Sequence, residues 1–239
     1  MTPPGERQVV VLAGGLATRL RDLDGDLPKA LRKVAGRPFV DVMLDPLVRQ
    51  GFRRFHFCLG NGGDQLAGHL RGLDAALEVS VEIESSPCGT AGALLRSADR
   101  LDDVFLLAMG DTYFEFPYRS LFDDLADRAD GLLVVTSADS EVAPNVGLAG
   151  KVVVEYDKAG VNAGLTDTGV AVLRRRSLDL LRGARTPVDL TALFLGLIER
   201  GSLHAVPTDE RFYDIGTPER YYGLDARLRA EAGGGAFIC

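Results

Sequence analysis

Histidine is scarce in this chain of 239 residues, with only His56, His69 and His204 present. That is thin material for a histidine-built metal centre or a Ser-His-Asp triad. The three cysteines, Cys58, Cys88 and Cys239, are widely spaced and odd in number, so they imply neither a disulfide framework nor a zinc site. Basic residues are outnumbered: 27 Lys and Arg against 34 Asp and Glu leave a formal net charge of −7. Such a surface argues against broad nucleic-acid binding and against docking on an anionic membrane. No apolar stretch approaches the length of a membrane span. The opening residues, MTPPGERQ, lack the apolar core of a secretory signal, so a cytoplasmic protein is expected. Neither G-x-x-x-x-G-K-[ST] nor G-x-G-x-x-G occurs, which excludes a Walker P-loop and a dinucleotide fingerprint.

What is present suits a globular α/β domain. Hydrophobic residues make up 46% and charged residues 26%, and the length allows one domain, expected over residues 1–239, with a well-buried core. Val9 to Ala13 form a short apolar run closed by Gly14 and Gly15, the pattern of a buried strand. Arg19 follows, and Lys29 stands behind Pro28. A glycine turn at the carboxyl end of a parallel strand is where open α/β sheets bind ligands. Backbone N–H groups with an Arg and a Lys suit a polyphosphate. Taken alone, the Gly-Gly pair also reads as a turn with solvated cations.

The following segments alternate. Phe39 to Gln50 has helical spacing, with Pro46 expected to kink it or to begin a fresh turn. Arg54–Leu59 reads as a strand, and a short helix reaches about Arg71. Leu77–Ile83 alternates as a half-polar strand. A helix follows Gly89-Thr90 to about Ala98, and Val104–Met109 is an apolar strand ending in Gly110-Asp111. Leu121–Arg128 reads as a helix and Leu132–Thr136 as a strand. This order predicts a mainly parallel sheet with right-handed crossovers. Beyond Ser137 the short segments Val146–Leu148, Lys151–Asp157 and Gly169–Arg174 predict an antiparallel or mixed addition to the sheet. Ser177–Arg182 and Leu190–Arg200 read as helices, the second with Asp189 as N-cap. Leu203–Val206 reads as a strand, and Thr217–Ala230 as a last helix with Pro218 at its first position.

Leu12-Ala13-Gly14-Gly15-Leu16-Ala17-Thr18-Arg19-Leu20, followed by Pro28-Lys29, resembles the signature of the sugar-1-phosphate nucleotidyltransferases, with Ala17 where glycine is common. Further segments carry the same resemblance. Gly89-Thr90-Ala91-Gly92, after Glu84, is similar to the family's base-recognition loop. Glu155-Tyr156-Asp157-Lys158 is similar to its acidic-Lys segment at the sugar phosphate, and Asp167-Thr168-Gly169-Val170 to the segment that reads sugar hydroxyls. Asp214-Ile215-Gly216-Thr217-Pro218-Glu219-Arg220-Tyr221 is similar to its D-I-G-T-P-x-x-Y ending. Each has a plainer reading by itself: a turn cap for Asp111, a helix start at Gly89 and at Thr217-Pro218, a solvated hairpin for Lys158, a turn before a strand for Asp167.

The resemblance implies a Rossmann-like fold: a mixed, mainly parallel sheet flanked by helices, with a small β lid over the sugar site. It implies a nucleotide-binding half near 8–136 and a sugar-phosphate half near 137–231. Leu12, Ala13, Gly14, Gly15, Thr18, Arg19, Glu84, Gly89 and Thr90 would bind the nucleotide. Gly110, Asp157, Lys158, Asp167, Thr168 and Gly169 would bind the sugar phosphate. Arg19, Lys29 and Asp111 would be catalytic, and Asp111 and Asp214 would hold Mg²⁺. The implied reaction joins a nucleoside triphosphate to a sugar 1-phosphate and releases pyrophosphate. The attacking phosphate monoester has a second pKa of about 6, so no general base is required and the shortage of histidine is no obstacle. The motif set looks most like heptose- or mannose-1-phosphate guanylyltransferases, which implies GTP and D-glycero-α-D-manno-heptose 1-phosphate or mannose 1-phosphate as partners, no nucleic acid or membrane, and a homodimer. The residues themselves do not select guanine over other bases, so thymidylyl, cytidylyl, uridylyl or adenylyl transfer stays open. A molybdopterin-type transferase shares the opening loop but lacks the D-I-G-T-P-x-x-Y ending. A non-catalytic nucleotide-sugar-binding subunit should have lost one of Arg19, Lys29, Asp111 or Asp214.

Overall fold

The first strand, β1 (Gln8–Ala13), is buried on both sides in the computed structural model, which describes residues 3–15, 27–60, 63–138, 142–157, 159–160 and 164–234, with backbone alone at 232–234. Val9 and Val11 enter one core and Val10 and Leu12 another, because successive side chains of a strand leave opposite faces. A strand covered on both faces shows no polar side, hence the unbroken apolar run. The helices Phe39–Arg49 and Gly63–Leu70 cover the Val9/Val11 face. Thr90–Arg96 and Leu190–Glu199 cover the Val10/Leu12 face.

The remaining strands are β2 (Lys33–Val34), β3 (Arg37–Pro38), β4 (Arg54–Leu59), β5 (Glu78–Ile83), β6 (Val104–Met109), β7 (Thr112–Tyr113), β8 (Gly131–Thr136), β9 (Val146–Ala149), β10 (Val152–Tyr156), β11 (Thr166–Arg174), β12 (Leu203–Thr208) and β13 (Tyr213–Asp214). Eight of them join β1 in one nine-stranded sheet, in the order β5-β4-β1-β6-β11-β8-β12-β10-β9. β11 pairs antiparallel with both β6 and β8, and β10 antiparallel with both β12 and β9. The other junctions are parallel, so the sheet is mixed and mainly parallel in strand direction. Two small antiparallel pairs, β2-β3 and β7-β13, stand apart from it. Among the described residues no helix is long and apolar enough to cross a membrane.

The sheet corrects the expected lid. β9 and β10 do add to the sheet antiparallel, but they lie in its plane, beyond β12. The segment 169–174 belongs to β11 and sits at the centre, between β6 and β8, where Val170, Ala171, Val172 and Leu173 are all buried. Burial on both faces explains the Val-Ala-Val-Leu run better than a half-exposed cover does. Three local expectations also shift. The helix Phe39–Arg49 is continuous through Pro46, whose side chain is buried in the core. The helix after Ser120 stops at Asp124, because Leu125 turns to an extended conformation and Ala129 N–H closes a turn on Ala126 O at 2.9 Å. Arg175–Leu181 is 3₁₀ rather than α.

A central β11 should behave as part of the most stable unit in native-state hydrogen exchange. Amides of residues 170–173 are expected to exchange only through global unfolding, as those of β1 and β6 do, while edge strands β5 and β9 open at lower free energy. Exchange of 170–173 at the rate of β9 would contradict the strand order.

Candidate active site

Two carboxylates far apart in sequence meet beyond the end of β6. Gly110 follows Met109 and donates its N–H to Leu12 O at 2.9 Å, which ties the turn to β1. Asp111 comes next and leads into β7, which pairs antiparallel with β13, Asp214 opposite Thr112. Ile215 N–H donates to Asp111 O at 3.0 Å, so the two acidic segments share backbone bonds. Each carboxylate carries a cation. Lys29 Nζ, on the 3₁₀ turn Lys29–Leu31 after Pro28, donates to Asp111 Oδ2 at 2.9 Å. Arg220 Nη1 donates to Asp214 Oδ2 at 2.9 Å, while Gly216 N–H occupies Asp214 Oδ1 at 2.7 Å.

Both ion pairs line one cavity of about 450 Å³. Its opposite wall comes from an irregularity in β11. Asp167 lies opposite Val135, yet Ala171 lies opposite Leu133, so β11 carries extra residues at 168–170. Thr168 Oγ1 donates to Val134 O at 2.9 Å and satisfies a β8 carbonyl at this break in the ladder. Gly169 has φ of +77°, and a Cβ there would stand 2.7 Å from Met109 Cγ, so only glycine suits the bulge. The bulge sets Asp167 at the cavity wall, where Gly169 N–H donates to Oδ1 at 2.9 Å and Tyr156 Oη–H to Oδ2 at 2.8 Å. Tyr156 is buried and meets Phe194 edge-on at 5.1 Å between ring centroids. Burial, with the Asp167 carboxylate beside it, holds the Tyr156 phenol protonated well above the ordinary tyrosine range.

On the far side of β1, Glu84 continues β5, and its Oε2 accepts from Cys88 N–H at 3.1 Å and from the Cys88 thiol at 2.7 Å. Burial and that carboxylate push the thiol up to about 11, so Cys88 acts as a donor rather than a nucleophile. The next residues are locked to a distant segment. Val188 O accepts from both Ala91 N–H (3.0 Å) and Gly92 N–H (3.1 Å), and Val188 N–H donates to Cys88 O at 2.9 Å. Gly89, at φ +81°, lies so close that a Cβ would stand 2.4 Å from Val188 O. Thr90 Oγ1 accepts Leu190 N–H at 2.8 Å and donates to Asp189 Oδ1 at 3.3 Å.

The family profile described as "Nucleotidyl transferase" matches residues 8–150. The chain belongs to the nucleotidyl transferase family. It is similar to D-glycero-alpha-D-manno-heptose 1-phosphate guanylyltransferase from Campylobacter jejuni subsp. jejuni, 22% identical over 215 residues that cover 90% of this chain and 97% of that one. It is 26% identical over 235 residues to the mannose-1-phosphate guanylyltransferase catalytic subunit beta of Danio rerio, covering 90% of this chain and 62% of that relative's length. The crystal structure of HddC from Yersinia pseudotuberculosis complexed with GMP-PN superposes with a TM-score of 0.78 at 25% identity, covering 93% of this chain and 99% of that one.

In this nucleotidyl transferase the cavity gathers Lys29, Thr90, Asp111, Asp167, Thr168, Gly169 and Asp214 out of the residues expected from sequence. Leu12, Ala13, Gly14, Gly15, Glu84, Gly89 and Gly110 lie outside its wall, at the ends of β1, β5 and β6 and in the Val188 junction. Asp157 is exposed, and its carboxylate accepts Ala159 N–H at 2.8 Å in its own turn. Thr18, Arg19 and Lys158, with Ala17, lie outside the described residues. One expectation is corrected at the junction, the side-chain cap at Asp189. Ala91 and Gly92 N–H groups already bond to Val188 O, so these two amides are not open to a base or a phosphate. Asp189 stands at the N-cap position of Leu190–Glu199, but the cap is the Thr90 hydroxyl, which reaches Leu190 N–H from another segment. Sequence reading passed over Tyr156 and Arg220, although both sit inside matched motifs, and over Phe194, which carries only the apolar pattern of a core helix.

Removing this shared cap has a defined effect. Thr90→Val should lower unfolding free energy by about 0.5–2 kcal/mol, the range for a lost N-cap, while Thr90→Ser should stay near wild type. Urea unfolding of the three proteins decides it; equal midpoints for Val and Ser would remove the capping role.

Proposed function

We propose that the chain transfers a nucleotidyl group from a nucleoside triphosphate to a sugar 1-phosphate, with GTP as donor and D-glycero-α-D-manno-heptose 1-phosphate or mannose 1-phosphate as acceptor. The observation that carries this reading is the cavity in which the Lys29–Asp111 and Arg220–Asp214 pairs face the Asp167–Gly169 bulge. Cations and carboxylates on one wall suit reacting phosphates, and the ordered Asp167 on the other suits sugar hydroxyls. Both Asp167 oxygens accept a hydrogen bond, so the carboxylate is held in one orientation at the cavity wall. The names of the relatives favour guanine and a heptose or mannose acceptor.

The acceptor's phosphate monoester has a second pKa of about 6 and is anionic near neutrality. Its oxygen attacks the α-phosphorus; a new P–O bond forms, the bond to the bridging oxygen breaks, and pyrophosphate leaves with that electron pair. No proton needs to move for the attack. The barrier lies in bringing two anions together, so positioning and charge neutralisation carry the rate. Lys29 serves the triphosphate and the charge that leaves with pyrophosphate, together with Leu12–Gly15, Thr18 and Arg19. Lys158, with Asp157 and Gly110, serves the incoming monophosphate. Glu84, Gly89 and Thr90 support the base side. In this reading the nucleotide is served by residues near 8–136 and the sugar phosphate by those near 137–231, and the working assembly is a homodimer.

The donor set at Asp111 and Asp214 is all oxygen, and Asp111 Oδ1 accepts no more than a long 3.4 Å bond from Thr112 among the described residues. Mg²⁺ takes one or two carboxylates and completes its shell with water and phosphate, so the pair fits it. Bound there, Mg²⁺ supplies positive charge to the phosphates of both substrates.

A pyrophosphate-release screen of five nucleoside triphosphates against hexose and heptose 1-phosphates tests the reading. GTP is expected to show the highest kcat/KM; a higher value for another triphosphate would displace guanine, and release from no pair would overturn the activity. Two lysines should then separate by substrate. Lys29→Met is expected to lower kcat by about 10²–10³-fold, the loss typical of one strong electrostatic stabiliser. Lys158→Met is expected to raise KM for the sugar 1-phosphate with little change for the nucleotide. Weakening of nucleotide binding alone by Lys158→Met would reverse the arrangement of substrates.

A further inference from the structure

We propose that Tyr156 is a positioning residue for the acceptor: its hydroxyl sets the Asp167 carboxylate at the angle in which it meets the sugar. The inference rests on the nucleotidyl-transfer reading above, and within it on the sugar side of the cavity.

Tyr156 is the last residue of β10 and Asp167 the second of β11. Those strands stand three places apart in the sheet, with β8 and β12 between them, so no strand pairing brings the two residues together. The contact is between side chains, at 2.8 Å from Tyr156 Oη to Asp167 Oδ2. The backbone on either side of it is tied by Asn145, which is itself buried. Asn145 Oδ1 accepts Asp167 N–H at 2.8 Å, and the Asn145 carbonyl accepts Asp157 N–H at 3.0 Å, one residue past Tyr156. One residue thus fixes the end of β10 against the start of β11.

A tyrosine at this place carries a cost that a phenylalanine would not. Tyr156 is 7% exposed, and its ring lies edge-on to Phe194, a contact that a phenyl ring makes equally well. A buried hydroxyl needs a hydrogen bond to offset its lost hydration. Here that bond goes to a carboxylate on the cavity wall. What the hydroxyl adds over a phenyl ring is therefore control of Asp167. Gly169 N–H holds Oδ1 from two residues along the same strand, so that bond moves with β11. The Tyr156 bond ties Oδ2 to β10 and so fixes the plane of the carboxylate relative to the rest of the cavity. Burial keeps the phenol protonated at any working pH, and the donor is always present. A carboxylate free to rotate would have to be ordered by the sugar itself, and that ordering would be subtracted from acceptor affinity.

The experiment compares wild type, Tyr156→Phe, Asp167→Ala and the double variant. Calorimetry with Mg²⁺ present follows binding of GTP and of mannose 1-phosphate or D-glycero-α-D-manno-heptose 1-phosphate, whichever wild type binds more tightly. Tyr156→Phe should weaken the sugar phosphate about tenfold, the effect of losing one hydrogen bond to a charged group, and leave GTP binding unchanged. In steady-state kinetics its KM for the sugar phosphate should rise with kcat little altered. In the Asp167→Ala background the same substitution should have no further effect on the sugar phosphate. A merely structural tyrosine would give another pattern: a lower urea midpoint with the sugar phosphate bound as in wild type, or a loss of the same size with and without the Asp167 carboxylate. Either result would overturn the inference, as would equal weakening of GTP and the sugar phosphate, or binding of neither sugar phosphate by wild type. If wild type bound both substrates but released no pyrophosphate from any pair, the transfer reaction would fail while the binding comparison still decided the role of Tyr156.

Discussion

An antiparallel contact of only two residues per strand, β7 against β13, carries the geometry of the cavity. It brings Asp111 and Asp214 onto adjacent chains, and the added bond from Ile215 N–H to Asp111 O prevents one from shifting without the other. So short a pairing has little stability of its own. It is supported from behind by buried Tyr113, Phe114, Phe212 and Ile215, with Phe114 and Phe212 packed edge-to-face at 6.4 Å between centroids. Apolar packing on one side thus lets charged groups stand together on the other.

The charges themselves are arranged as pairs rather than as a field of one sign. Unpaired carboxylates in a half-buried cavity would repel each other and resist desolvation. Pairing Asp111 with Lys29 and Asp214 with Arg220 relieves that repulsion while no phosphate is bound. Opposite them, hydrogen bonds from Gly169 N–H and the Tyr156 hydroxyl hold the Asp167 carboxylate. One wall thus carries the Lys29 and Arg220 ion pairs and the other the hydrogen-bonded Asp167.

Much of this was legible in the sequence where the signal is local. The apolar runs of β1, β4, β6 and β8 read as strands because burial on both faces leaves no other composition. The segments at Asp111, Asp167 and Asp214 read as functional because they match a family, and all three line the cavity. What escaped depends on partners distant in the chain. Nothing within 166–174 states that it will lie between β6 and β8. Asp189 looks like a cap, but Thr90, 99 residues earlier, wins the position. Tyr156 and Arg220 acquire meaning only from Asp167 and Asp214, which their own neighbourhoods do not reveal. The helix expected over 121–128 shows the converse: its Leu121/Leu125 spacing satisfies an amphipathic pattern, yet both residues are buried equally well when the chain leaves the helix at Asp124.

The strand order has a consequence for how the chain is made. β5, β4, β1 and β6 form a consecutive block, and all four are complete once residue 109 has left the ribosome. β6 then presents a bare edge, and β8, the next long strand to emerge, is not its final neighbour. The strand that fills that edge, β11, arrives only after β8, β9 and β10 have been synthesised. Throughout that interval a direct β6–β8 contact is open to the nascent chain, and the native sheet is reached only by keeping those two edges apart until β11 enters between them.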